Sequence, residues 1–291
     1  MLKLLACLDS IEMGKSCQPD LDIPRKMAVR LGVSAVEAGL NGRYFTTDSR
    51  SIDWSHQVQV ARASKVSIPP EAPLPAPSAA VFNETRIQVT NETTLGAALR
   101  LVEAGIKPAA LNFANGIHPG GGFLAGARAQ EETVCRSSAL YQTLVGDEMY
   151  ADHRRRPRPD STDWAIYSPG VPIFRTDDGR ELERPWLLDF ITCAAPYARA
   201  IGQIEASDLL RYRIRRVLAI ARAYEQKALV LGAWGCGAFG NDPHQTAVDF
   251  RYALESESSN AFGDIVFAIT DWSPDRKFLR PFCEVFSPNA E

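Results

Sequence analysis

The segment from Leu111 to Leu144, LNFANGIHPGGGFLAGARAQEETVCRSSALYQTL, constrains the fold more than any other part of the chain. A buried-strand run, AALNFA, leads into Asn115 and then into Gly120, Gly121 and Gly122. Adjacent residues without a Cβ permit positive φ and let backbone N–H groups approach a ligand closely. Seven residues separate Gly122 from Gln130, and there Gln130, Glu131 and Glu132 open a helix. The amino end of a helix leaves N–H groups unpaired and favours negative charge. Each feature alone has an ordinary explanation, because glycines make turns and acids suit a first helical turn. Facing each other across one short loop, they describe a strand that ends in a binding turn folded back onto the next helix.

From Val81 onward, short apolar runs alternate with helical periods, the pattern of an α/β layered domain. RIQVT, AALNFA, DWAIYS, LLDFITCA, KALVLGAW and DIVFAIT read as strands. Helices are expected over Thr94–Gly105, Gln130–Val145, Ser207–Gln226 and Pro243–Glu255. Such a sheet is buried between helices and carries its chemistry on loops after strand ends. The first eighty residues differ in texture. RKMAVRLGVSAVEAG reads as a short helix stopped by Gly39, and GRYFTTDSRSIDW as a hairpin. Five prolines from Pro69 to Pro77 make a stiff connector. The expected division is an N-terminal accessory region over residues 1–80 and a catalytic domain over 81–291.

A second constellation, KALVLGAWGCGAFGNDPHQTAVDF, places the loop GCGAFG after a strand, with Pro243 in the first turn of the following helix. Gly235, Gly237 and Gly240 formally spell the dinucleotide fingerprint, but no acidic residue closes a following strand about twenty residues on. The safer reading is a loop whose amides bind a diphosphate. Phe239 is then either a stacking platform for a base or simply buried under the loop. Gly14-Lys15-Ser16 is a decoy for a phosphate loop, since Asp9 stands where the first glycine would be. The run HRRRPRP, His153–Pro159, is either a solvated surface or, if close to the site, a grip for phosphates. The four histidines, His56, His118, His153 and His244, have no ligand or triad spacing.

Six cysteines lie far apart without zinc-like spacing, so free thiols in a reducing compartment and no metal are expected. A net charge of −3 does not attract nucleic acid as a whole, so any polyanion must be gripped locally. No apolar window is long enough to span a membrane, and acids come too early for a secretory signal, which points to a cytoplasmic protein.

The string NFAN…HPGGGFLAGARAQEE…RSSALY resembles the signature of bacterial-type poly(ADP-ribose) glycohydrolases. The resemblance extends over YSPGVPIFR, LLDFITCAAPYA and LGAWGCGAFGNDP, and so over about residues 81–291. It implies an α/β fold of macrodomain type, a three-layer sandwich with a mixed central sheet flanked by helices, plus an N-terminal helical and hairpin extension. It further implies hydrolysis of the ribose–ribose O-glycosidic bond of poly(ADP-ribose) with release of ADP-ribose, and no cofactor. The partners would be the polymer or ADP-ribosylated proteins, with no membrane and no direct nucleic-acid contact. By the same resemblance Glu132 is the catalytic acid, Glu131 holds ribose hydroxyls and Gln130 braces both. Gly120, Gly121, Gly122 and Asn115 line the distal ribose. Gly235, Cys236, Gly237, Ala238 and Gly240 wrap the diphosphate, with Phe239 against adenine or its ribose. Bacterial relatives usually carry Asn where this chain has Tyr197.

A glycosidase ordinarily sets two carboxylates at least about 5 Å apart across the bond it breaks. Sequence neighbours cannot straddle a ribose, so only one of Glu131 and Glu132 can face the leaving oxygen. An ADP-ribose-binding macrodomain and a mono-ADP-ribosyl hydrolase are the alternatives. The paired acids argue against a pure binding module, which has no need of two carboxylates facing an anionic ligand.

Overall fold

A computed structural model describes residues 1–76 and 82–288, so Pro77 and the boundary expected near residue 80 lie outside the described residues. Ten strands are present: β1 (Leu2–Leu4), β2 (Arg43–Phe45), β3 (Ser51–Asp53), β4 (Val66–Ile68), β5 (Thr85–Thr90), β6 (Pro108–Ala114), β7 (Ala165–Arg175), β8 (Glu181–Ala194), β9 (Ala228–Leu231) and β10 (Asp264–Ala268). Eight of them form one sheet in the order β1-β5-β10-β9-β6-β8-β7-β4, while β2 and β3 make a separate hairpin. The six strands from β1 to β8 in that order run parallel, and β7 and β4 add antiparallel pairings at one edge.

The alternation of side chains along each strand builds two cores. Leu229, Leu231, Ile265, Phe267 and Leu111 pack on one face, under the helices Gln203–Ala223 and Pro243–Glu255. Val230, Val266, Ala268, Ala110 and Phe190 pack on the other, with residues of the helices Arg25–Asn41, Thr94–Glu103 and Gln130–Ser137. This is the three-layer mixed α/β arrangement expected, and all six strand readings fall on β5 to β10. No described helix is long and apolar enough to cross a membrane.

Three local expectations are corrected. The helix read as ending at Gly39 runs on to Asn41 and stops at Gly42, whose φ is 66°. Gly39 serves close packing instead, since a Cβ there would stand 2.7 Å from Gln142 Cγ. The single helix expected over Gln130–Val145 is two, Gln130–Ser137 and Leu140–Leu144. Ser138 breaks it by turning extended to bridge Ile173, and the Ala139 amide donates to Pro172 O at 3.0 Å. Cys7 and Cys283 form a disulfide across 276 residues, so they are not free thiols. Cys7 follows β1 and Cys283 lies in the helix Leu279–Val285, two ends of the chain whose meeting no short spacing could announce. Cys17, Cys135, Cys193 and Cys236 are free.

The first eighty residues supply both edge strands of the main sheet, β1 and β4. Their hairpin is riveted to the body by an aromatic cluster in which Tyr44, Trp54 and Phe174 have ring centroids 4.6–5.3 Å apart. Trp54 is fully buried and donates to Ala38 O at 3.0 Å, and Tyr44 donates to Leu182 O at 2.8 Å. Trp54→Ala should therefore lower the stability of the whole molecule by about 3–5 kcal/mol in one cooperative transition. Urea unfolding followed by far-UV circular dichroism checks this. A main transition left in place, with only a small early phase lost, would mean the two regions fold independently.

Candidate active site

β6 is paired on one side with β8 along Ala109–Ala114, but with β9 only along Pro108–Ala110. Beyond Ala110 the sheet splits, and backbone groups on the β9 side of β6 lose their ladder partners. The Gln130 side chain replaces them: its Oε1 accepts from Phe113 N at 3.0 Å and its Nε2 donates to Leu111 O at 2.8 Å. One side-chain amide thus fixes the start of the helix Gln130–Ser137 to the end of the strand and holds the split open. A cleft of about 410 Å³ opens there, at the carboxyl ends of β5, β10, β9 and β6.

The two glutamates enter this cleft from the first helical turn, Glu131 only 3 % exposed and Glu132 8 %. Buried carboxylates require hydrogen-bond donors. For Glu131, Oε2 accepts from Asn115 N at 2.7 Å and Oε1 from Asn112 Nδ2 at 3.3 Å. Glu132 accepts from Gly122 N at 2.9 Å through Oε1, and its other oxygen meets no partner among the described residues. The glycine turn is shaped to this pair. Gly120 and Gly121 have φ of 72° and 59°, and a Cβ on Gly121 would lie 2.3 Å from Glu132 Oε1 and 2.9 Å from Glu131 Oε2. Both carboxylates therefore converge over a position that only glycine can occupy.

Desolvation pushes the Glu131 carboxyl up to about 8, with the charge of Glu132 adding to the rise and the Asn115 amide opposing it. Glu131 accordingly holds a proton at neutral pH. Asn112 Oδ1 is buried without a partner. A half-turn of that amide offers the oxygen to the proton on Glu131.

Asn115 lines the cleft, but its Oδ1 closes a turn by accepting from Ile117 N at 3.0 Å and His118 N at 2.9 Å. The loop after β9 forms the opposite lip. Gly235, Gly237, Ala238 and Phe239 line the cleft, and the amides of Gly237, Ala238 and Phe239 meet no acceptor among the described residues. Cys236 lies beneath them, its thiol against Trp234 O and Thr246 Oγ1, and burial pushes that thiol up to about 12. Gly240 closes the loop at φ 75°. Neither it nor Cys236 lines the cleft. Phe239 is half-buried with its ring edge-on to Tyr197 at 5.5 Å, and Tyr197 follows β8.

The microbial-type PARG catalytic-domain family matches residues 33–176. Poly(ADP-ribose) glycohydrolase (PARG) from Thermomonospora curvata superposes with a TM-score of 0.82 at 40 % identity, covering 89 % of this chain and 99 % of that one. The same enzyme bound to the inhibitor ADP-HPD gives 0.81 at 43 % identity, covering 88 % and 98 %. The Deinococcus radiodurans enzyme in complex with ADP-ribose gives 0.73 at 39 % identity, covering 82 % and 100 %. No curated protein matches the sequence. The chain belongs to the bacterial poly(ADP-ribose) glycohydrolase family. It is a hydrolase of glycosidase type.

Several residues that line the cleft are silent in the sequence. Thr93, Asp177, Trp272 and Phe278 reach the cleft from the β5 loop, the β7–β8 turn and the segment after β10. Only the sheet order brings them together. His153 is silent as well. Thr162 N donates to its Nε2 at 3.1 Å, so Nδ1 carries the proton and donates to Gly116 O at 2.9 Å. Burial lowers its pKa, which keeps the ring neutral and the turn beside Asn115 in place. The decoy Gly14-Lys15-Ser16 lies inside the helix Ile11–Leu21, with Gly14 packed against Asp271 O. No cluster of metal-binding side chains exists among the described residues.

The raised Glu131 carboxyl has a thermodynamic consequence. The native chain holds that proton to about pH 8, the unfolded chain only to its ordinary value of 4.5, so the native state loses stability as pH rises between the two. Comparing urea unfolding of wild type and Glu131→Gln at several pH values should show the variant gaining relative stability from about pH 5 up to about pH 8 and no further. A flat difference would mean Glu131 titrates normally.

Proposed function

We propose that this chain cleaves the ribose–ribose O-glycosidic bond of poly(ADP-ribose), releasing ADP-ribose, with Glu132 as the one proton donor. The observation that carries the assignment is the inequality of the two carboxylates. Both oxygens of Glu131 are tied to the protein, whereas Glu132 spends one on Gly122 N and keeps the other for the cleft.

The order of strand ends gives the substrate a direction. The distal ribose lies beside β6, where Glu131 holds its hydroxyls. The diphosphate crosses the β9 loop and takes the uncommitted amides of Gly237, Ala238 and Phe239, a backbone arrangement suited to anions. The adenosine then falls toward the β10 and β5 ends, where Trp272 and Phe278 line the cleft. Phe239, held by Tyr197, borders the distal ribose in this reading, and the base goes to Trp272.

As the bond from the anomeric carbon to the leaving 2′-oxygen breaks, Glu132 passes to that oxygen the proton that Glu131 beside it holds at neutral pH, and positive charge develops on the ribose. The same carboxylate then takes a proton from the water that adds to the cation. The substrate's own diphosphate lies close enough to offset part of the charge. Glu131, bonded through both oxygens, keeps the sugar aligned. The substrates are the polymer and the proteins that carry it.

Glu132→Gln should lower kcat on purified polymer by about 10²–10⁴-fold while leaving ADP-ribose affinity, measured by calorimetry, close to wild type. Near-normal turnover would move the acid role elsewhere. Gly121→Ala should act through the same carboxylate. A methyl group at φ 59° displaces Glu132, so turnover should fall by about 100-fold with an added loss of about 1–2 kcal/mol in thermal stability. Retained activity in that variant would show the turn does not position the acid.

A further inference from the structure

The cleft does not absorb the HRRRPRP run. Its four arginines have different fates. Arg156 is held by Asp160 through two hydrogen bonds of 2.8 and 2.6 Å, and Arg158 by Glu205 at 2.7 Å. Arg155 makes only a loose pair with Asp152 at 3.4 Å. Arg154 donates to Ile117 O at 2.7 Å and, among the described residues, meets no carboxylate. Ile117 is two residues from Asn115, whose amide anchors Glu131.

Arg199 is a second exposed arginine without a carboxylate partner among the described residues. Its stem crosses Gly240, where a Cβ would stand 2.8 Å from Arg199 Cγ and 3.0 Å from its Nε. The Arg199 amide donates to Phe239 O at 3.3 Å, and the Tyr197 amide to Pro159 O at 3.2 Å. The turn after Asn115, the arginine run, the segment after β8 and the end of the β9 loop are therefore joined in one rim. Asn115 and Phe239, which adjoin that rim, line the cleft.

We propose that the rim is a second phosphate site, in which Arg154 and Arg199 hold the diphosphate of the polymer unit adjoining the one in the cleft. The inference rests on the reading of poly(ADP-ribose) as substrate. With the adenosine of the bound unit at the β5 and β10 end and its distal ribose over Glu131 and Glu132, the remaining polymer leaves past this rim. Within the cleft the one basic lining residue is Arg128, and Asp22 occupies it at 2.6 Å. A chain of net charge −3 gains no general attraction for a polyanion, so the guanidinium groups without a carboxylate at the exit are where one is gripped. Their planar donor forks match phosphate oxygens.

The test is steady-state hydrolysis of size-selected polymer over a range of salt concentrations, with ADP-ribose affinity measured alongside by calorimetry. Arg154→Gln and Arg199→Gln should each raise KM for polymer about tenfold and reduce the slope of log(kcat/KM) against log[salt] by about one unit. Arg154→Lys and Arg199→Lys should restore the salt slope but only part of the KM, because the charge is kept and the planar fork is lost. An unchanged KM and salt slope in the glutamine variants would overturn the proposal. So would a matching fall in ADP-ribose affinity, which would place the effect inside the cleft. A wild-type protein that releases no ADP-ribose from polymer would instead sink the substrate reading itself.

Discussion

Glu131 and Glu132 are adjacent in sequence, both withdrawn from water, and directed into one cleft, an arrangement that burial alone makes unfavourable. The backbone makes it tolerable. A strand end gives the Asn115 amide to one carboxylate, and a turn of glycines gives the Gly122 amide to the other. Those donors reach the carboxylates only because Gly121 carries no side chain. Turn, helix start and strand end are thus set by one electrostatic requirement, and much of the surrounding packing serves to keep them in register. His153 secures the outer side of the turn through Gly116 O, and Arg213 in turn secures the loop that orients His153, donating to Asp160 O at 2.6 Å, Ser161 O at 3.1 Å and Ala194 O at 3.0 Å.

The split between β6 and β9 is the second consequence of the same design. Parallel strands covered on both faces leave no place for a ligand except beyond their carboxyl ends. Here the opening depends on Gln130 supplying a donor and an acceptor where the β9 backbone turns away. The residue before the two acids therefore has a structural duty that precedes any contact with substrate. It also explains why Gln and Glu-Glu occur together: the amide locates the helix that brings the carboxylates into the cleft.

The sheet was legible because its strands are buried runs of β-branched and aromatic residues separated by clear helical periods, as in KALVL and DIVFA. Edge strands carry no such signal. β1 and β4 are three residues each, half-exposed, and are defined by their neighbours β5 and β7 instead of by their own pattern. The break at Ser138 was hidden because the apolar period of the two helices continues in phase across it, while a tertiary bridge to Ile173 decides the backbone. Gly39 misled for the opposite reason: a glycine that looks like a stop exists to let Gln142 pack against it. Around the cleft, the two glycine loops were readable as close turns, since close backbone approach demands a specific residue type, but which of their residues face it was not: Gly235, Gly237, Ala238 and Phe239 line it, whereas Gly120, Gly121, Gly122, Cys236 and Gly240 do not. Trp272, Asp177 and His153 were not readable, since a lone aromatic, acid or histidine has no spacing to betray the partner it meets in space.

One acid for one bond follows from counting what the cleft offers. Four carboxylates line it: Glu92, Asp177, Glu131 and Glu132. Glu92 is bound by Arg100 at 2.6 Å and by Thr90 Oγ1 at 2.7 Å. Asp177 accepts from Thr93 Oγ1 at 2.6 Å, and its other oxygen is sealed from solvent. Glu131 is held through both oxygens. Among the described lining residues only Glu132 keeps a free oxygen, and no second carboxylate stands ready across the sugar as nucleophile or base. In the proposed reaction that inventory leaves one group to serve as acid and then as base, with part of the transition-state stabilisation drawn from the anionic substrate. The glycine turn is what makes so sparse a site workable, because a single proton donor is effective only when its position is fixed before the substrate arrives.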